Sequence, residues 1–181
     1  MKKTQKFIIL ILLSLLGPAS CIHDGPINNS DFGQITSIRD IEGRYQNLGE
    51  GSPSSIPIYL SHIVWPNDKV IDHKSIDAID VKVVNPDRLL VTAFSGDVMI
   101  KQKEFVEGVD FKLQSGRLQL GGKMRGVNDN VAGVGHEKSE IGLDQRGQGK
   151  YRDSAVFGGI ALLIPIMVGG HSDVRFPKIT P

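Results

Sequence analysis

The stretch Asp80-Val-Lys-Val-Val84, followed by Asn85-Pro86-Asp87 and then Leu89-Leu-Val-Thr-Ala-Phe94, decides the fold class. Short β-branched runs that alternate apolar with polar residues put one face of a strand against a core. An Asn-Pro-Asp break between two such runs is turn chemistry, because Pro fixes its own φ and Asn and Asp tolerate turn conformations. The pair reads as a β-hairpin. Ser95-Gly96-Asp97 then turns the chain into a third run, Val98 to Lys103.

The same grammar recurs farther along. Val109-Asp-Phe-Lys-Leu113 and Arg117-Leu-Gln-Leu120 flank Gln114-Ser115-Gly116, and in both arms alternate apolar residues fall on one face. Glu140 to Leu143 and Lys150 to Val156 enclose Asp144-Gln-Arg-Gly-Gln-Gly149, a polar glycine loop suited to a hairpin end. One short helix is expected over Pro57 to Val64, with Ser55 as its cap and Pro57 in its first turn. Together these imply a mainly β chain: an antiparallel sheet forming a small barrel or sandwich, with one short helix.

The apolar run Val156 to Gly170 holds fifteen residues, and Gly158, Gly159, Pro165, Gly169 and Gly170 interrupt it. A membrane-spanning helix needs about 20 predominantly apolar residues. The expectation is instead a buried strand over Ile160 to Val168, with Pro165 at an edge or bulge because it donates no ladder hydrogen bond.

The first twenty residues follow a different logic. Lys2, Lys3 and Lys6 precede an apolar run, Phe7 to Leu13, that resumes at Leu15 and Leu16; these are the charged and apolar regions of a secretory signal. Gly17 and Pro18 break the run, and the small residues Ala19 and Ser20 lead into Cys21. Leu-Leu-Gly-Pro-Ala-Ser-Cys21 resembles the lipobox of bacterial lipoproteins, with Pro18 standing where that family usually has leucine or a similar apolar residue. The resemblance implies that residues 1–20 are cut away, that the Cys21 thiol is alkylated by diacylglycerol and that the new amino group is acylated, with palmitate as the expected chain type. Acyl chains bind at about 0.8 kcal/mol per buried methylene, so several of them hold a protein on a membrane. Ile22, rather than Asp, follows the cysteine, which by the sorting pattern of Gram-negative lipoproteins implies the outer membrane. Ordinary cleavage after Ala19 or Ser20, releasing a soluble periplasmic protein, is the alternative. Cys21 is the only cysteine, so an intrachain disulfide is excluded, and a lone thiol in an oxidising compartment needs a role.

Residues 1–20 carry three lysines and no acid, so the other 161 residues hold 18 basic and 20 acidic side chains, and the net charge falls from +1 to −2. That balance argues against a nucleic-acid partner. The length suits one domain with a core that needs no disulfide. Ile22 to Ser37 is rich in Gly, Pro, Asn and Asp and lacks an apolar period, so residues 21–38 read as a lipidated N-terminus and flexible tether, and 39–181 as the β domain.

Taken in order, Asp40-Ile-Glu-Gly43-Arg-Tyr45-Gln-Asn47, Gly108-Val-Asp110-Phe111, Gly116-Arg-Leu118, Leu143-Asp144, Gly147, Ile164-Pro165 and Arg175-Phe176 resemble a group of small uncharacterised bacterial lipoproteins. Gly43-x-Tyr45 is also similar to the Gly-x-Trp opening of lipocalin-like barrels, in which the aromatic plugs one end. These resemblances imply a compact β-sheet or barrel domain and supply no activity.

Motifs for catalysis and metal binding are incomplete. His136-Glu137 is followed by Glu140 where a zinc-protease helix has its second histidine. His62, His73 and His171 lie far apart in the chain, Gly147-x-Gly149 lacks the third glycine of a dinucleotide turn, and no serine stands in a Gly-x-Ser-x-Gly elbow. Asn128-Asp129-Asn130 lacks the loop glycine and distal Glu of a calcium hand. Asp72, Asp77 and Asp80 suit a solvated loop leading into a strand as well as they suit paired carboxylates. No cofactor and no metal are expected, and Cys21, as the lipidation site, is the one site residue assigned. Three function classes remain: a noncatalytic lipoprotein that binds or braces another envelope protein, a carrier of a small apolar ligand in a barrel cavity, and a hydrolase with dispersed residues.

Overall fold

A computed structural model describes residues 21–52, 56–127, 131–161 and 164–180. Residues 1–20, read above as a signal, Ser55 and Asn128-Asp129-Asn130 lie outside them. The described chain is mainly β, in two sheets packed as a sandwich with no closed barrel, and its one short α-helix is α1 (Leu60–Val64).

The smaller sheet contains β2 (Gly43–Gln46), β3 (Ala78–Asn85), β4 (Arg88–Ser95), β5 (Val98–Val106) and β11 (Lys178–Ile179), in the order β11-β2-β3-β4-β5. Its β3–β4 hairpin forms around Pro86-Asp87 as the turn chemistry requires, with Val81 opposite Val91 and Ile79 opposite Ala93. The larger sheet contains β1 (Cys21–Asp24), β6 (Lys112–Gln114), β7 (Arg117–Val127), β8 (Val131–Leu143), β9 (Gly149–Ala161) and β10 (Ile164–Phe176). Its order is β1-β10-β9-β8-β7-β6, antiparallel throughout except that β1 runs parallel to β10. The turns at 114–116 and 144–149 form where expected, but Val109 lies outside β6 and is exposed, leaving Phe111 and Leu118 to carry the burial.

Ile79, Leu89, Val91 and Ala93 meet Leu118, Val174 and Phe176 between the sheets, with Tyr45, Leu60 and Trp65 completing the cluster. Each fully buried large apolar side chain contributes about 1.5–3 kcal/mol. At five residues α1 cannot persist by itself. Buried Asn47 fixes it: Oδ1 accepts from the Ser61 amide at 2.8 Å, while Nδ2 donates to the carbonyls of His73 and Ile76. The helix starts at Leu60, three residues later than Pro57, with Tyr59 in the cap position and no side-chain cap.

Three expectations are corrected. Residues 22–37 are not a free tether: Pro26, Phe32 and Ile35 are buried and β1 is paired with β10. Ile160 to Val168 is not one buried strand, because β9 ends at Ala161, β10 begins at Ile164, and Ile164 pairs back on Ala161. An uncharged run of that length accommodates both arms of a hairpin. Pro165 does lie at an edge, since β1 covers only Gly169 to Ser172 of β10. Tyr45 plugs no barrel; it sits in the sandwich core with its hydroxyl donating to the Ile41 carbonyl at 2.8 Å. Gly43 suits its position because its φ of +151° is one that side-chain-bearing residues rarely adopt, and the end of the Lys178 side chain lies across it.

Candidate functional site

Cys21 opens β1 opposite Gly169, and Gly169 in turn faces Val156. Because β1 is parallel to β10, Cys21 lies at the end of β1 nearer the Ala161–Ile164 reversal, and the strand runs from there toward the sandwich. Core contributions from β7 to β10 stop at Leu120, Ile141, Tyr151 and Val174, so among the described residues the remaining strand halves project beyond the sandwich. From Ala155 through Gly170 no residue is charged. Val134, Val156 and Met167 share one face of this projection and are 55, 43 and 68 % exposed; Val168, on the opposite face, is 49 % exposed.

Toward the sandwich, the face of β9 and β10 that carries Val156 becomes ionic. Lys150 Nζ and Asp173 Oδ2 are 2.7 Å apart with both side chains almost fully buried. Arg152 grips both oxygens of Asp173, through Nε at 2.6 Å and Nη2 at 2.8 Å. Asn29 donates to Asp173 and accepts from Lys150, whose ammonium also reaches the Ser30 carbonyl. The Phe32 ring closes over the cations Arg117, Lys150 and Arg152 at 4.5–5.5 Å. Burial pushes the Asp173 carboxyl up, but hydrogen bonds from Arg152, Asn29 and Lys150 outweigh it and hold the group well below the usual carboxylate range. The polar composition of residues 25–31 therefore matches a buried ionic patch. A visible signal existed, in that Lys150-x-Arg152 and Asp173-x-Arg175 place charges at alternate positions inside apolar strand segments.

Above that patch, His23 Nδ1 lies 2.5 Å from His171 Nε2 across the β1–β10 register. Desolvation, followed by Arg152, pushes His171 below its ordinary value. Potential ligand atoms of His23, His171 and Asp173 lie within 4.8 Å of one another. They do not fit a cation as arranged, because Asp173 is already neutralised by Lys150 and Arg152.

The other histidines meet as well. His62 and His73 have ring centroids 3.9 Å apart, and His73 Nδ1 lies 2.9 Å from Ser61 Oγ. Ser61 is completely buried, so this contact joins α1 to the 73–75 turn and presents no nucleophile to solvent. An open groove beside α1 is lined by His62, Glu137, Ser139, Tyr151, Asp153 and Ser172. Ser139 there donates to Asp153 at 3.0 Å and accepts from the Tyr151 hydroxyl at 3.2 Å. Burial, then His73, lowers the His62 pKa.

The remaining candidates separate. Asp72 accepts from the Lys74 amide, Asp77 from the Gly96 amide, and Asp80 pairs with Arg44, so these carboxylates do not act together. His136 and Glu137 are successive residues of strand β8, not of a helix. Glu140 is buried between Arg117 and Lys138. No family model matches this chain, and neither a curated protein nor a solved structure does.

Proposed function

We propose that the chain is an envelope lipoprotein whose signal, residues 1–20, is removed and whose Cys21 is acylated. Its β sandwich is a noncatalytic binding or bracing module on the outer membrane. The observation that carries the proposal is the run of charged, apolar and small residues ending in the sole cysteine. The β1 register supports it, because Cys21 starts an edge strand beside the uncharged segment Ala155 to Gly170. With residues 25–35 packed on the domain, an acylated Cys21 holds the sandwich close to the bilayer, a geometry suited to bracing at short range. The cavity between the sheets is about 100 Å³, against roughly 300–1,000 Å³ for ligand pockets, which favours this reading over a carrier. Comparing full-length protein with a Cys21→Ala variant tests it. Loss of the cleaved, acylated form and accumulation of uncleaved precursor are expected; processing and acyl labelling unchanged from the parent chain contradict acylation.

One observation favours a second reading, hydrolysis, since the groove beside α1 gathers His62, Glu137, Ser139 and Asp153. Turnover of ester or glycoside substrates that disappears in both His62→Ala and Glu137→Gln supports it, whereas turnover untouched by either change removes it.

A further inference from the structure

We infer that the groove beside α1 and the small cavity between the sheets form one site for a single-chain alkyl amine, with the hydrocarbon end between the sheets and the ammonium at Asp153. The inference holds whether or not Cys21 is acylated. Its basis is the order of side chains along one face of the larger sheet. Strand partners share a face, and residues two apart on a strand share it too. Phe176 and Gly149 therefore stand in one row, Val174, Tyr151 and Ile141 in the next, and Ser172, Asp153 and Ser139 in the third. Phe176, Gly149 and Ile141 line the inner cavity of about 100 Å³, whereas Val174, Tyr151 and the third row line the groove of about 550 Å³. Apolar surface thus gives way to hydroxyls and a carboxylate over two rows. Gly149 to Asp153 is four residues along β9, roughly 13 Å at about 3.3 Å per residue, the length of an extended chain of about ten carbons.

The two spaces meet at α1. Ile63, near the end of the helix, and Leu120 line both, and each is only partly buried, so a rotamer change at either opens one space to the other. The inner walls are hydrocarbon apart from Tyr45 and Lys150, whose polar ends are already bonded to the Ile41 carbonyl and to Asp173. A dry apolar cavity of roughly 150 Å³ holds benzene, so this one takes the last few carbons of a chain and not a whole ligand. The groove sets the head group. Glu137 and Asp153 line it, no Lys or Arg does among the described residues, and desolvation, then His73, favours the neutral His62 ring. Charge complementarity therefore selects a cationic head over a carboxylate.

The test uses the full chain as cells process it, free of detergent in phosphatidylcholine vesicles, with Trp65 as the reporter. Trp65 is the only tryptophan, and it packs in the core cluster next to Val64, which lines the inner cavity. The probe is ω-bromodecylamine, whose bromine quenches an indole that it approaches. Saturable quenching is expected, with none from bromopropylamine, whose chain is too short to reach inward. Binding of ω-bromodecanoate should be weaker by about tenfold, because attraction at the head becomes repulsion. Leu120→Phe, which fills the shared wall, should abolish the quenching while keeping its thermal midpoint. Asp153 is exposed, so Asp153→Asn should weaken the amine roughly two- to fivefold, the worth of an exposed ion pair. If Leu120→Phe does not fold, Asp153→Asn and the carboxylate probe decide alone. Absence of saturable quenching overturns the inference. Equal quenching by the carboxylate, or quenching by the amine that neither variant changes, shows that the probe reaches Trp65 through lipid or the protein surface, and also overturns it.

Discussion

Lys150 Nζ lies 2.7 Å from Asp173 Oδ2, inside the protein, and this pair fastens the N-terminal segment to the larger sheet through Asn29 and Ser30. Removing one partner strands the other charge. Asp173→Asn leaves Lys150 and Arg152 buried without their counterion, at a cost of about 3–5 kcal/mol. Urea unfolding monitored by Trp65 fluorescence should show that loss. An unchanged midpoint would mean that the pair contributes nothing net.

Acid should act through the same carboxylate. Its folded-state pKa lies below the ordinary 3.8, so in that range the unfolded chain binds more protons than the folded one. The stabilisation is therefore complete above about pH 4 and fades as pH falls below 3.8 toward the lowered value. Asp173→Asn should flatten the stability profile in that window relative to the unchanged chain. Parallel profiles would assign the acid sensitivity to other groups.

Histidine protonation should loosen β1. His171 is pushed below its ordinary 6.5, so the folded form favours the neutral ring, and stability present above 6.5 declines as pH drops below it. His23, Arg152, Lys150 and Asp173 are the charged or titratable groups around that ring. Amide exchange at Cys21 to Asp24, corrected for the intrinsic rate, should accelerate through this range, and His171→Gln should abolish the acceleration. His62 titrates at a different place, beside α1, so a readout confined to β1 separates the two.

A single methyl group tests the packing of the sandwich. A Cβ at Gly49 would lie 2.4 Å from Val174 Cγ1 and 2.7 Å from Phe176 Cε1. Gly49→Ala should cost about 1–3 kcal/mol by overpacking. Gly158→Ala, where no atom lies within 4 Å, is the control and should lack that penalty. Equal thermal midpoints for the two variants would contradict the tight approach at Gly49.

The β3–β4 hairpin was legible because alternation and an Asn-Pro-Asp turn are local properties of a dozen residues. The docking of residues 25–35 was not, since Asn29 meets Asp173 across 144 positions and no periodicity marks it. Val156 to Gly170 misled for a different reason: where both faces are apolar, a run carries no period-2 signal, and one buried strand looks the same as the two arms of a hairpin. Cys21 stands out in the sequence by the lysines and apolar run before it and by its solitude. Its station beside the uncharged hairpin depends on the parallel β1–β10 pairing, which only the fold reveals.

Anchoring through Cys21 is tested most directly by the intact mass and N-terminal peptide of the protein extracted from membranes. Acylation predicts a chain that begins at Cys21 and is heavier than residues 21–181 by a diacylglyceryl group and one further acyl chain. An unmodified chain that begins at Ser20 or Cys21 and is recovered in the soluble fraction would contradict it.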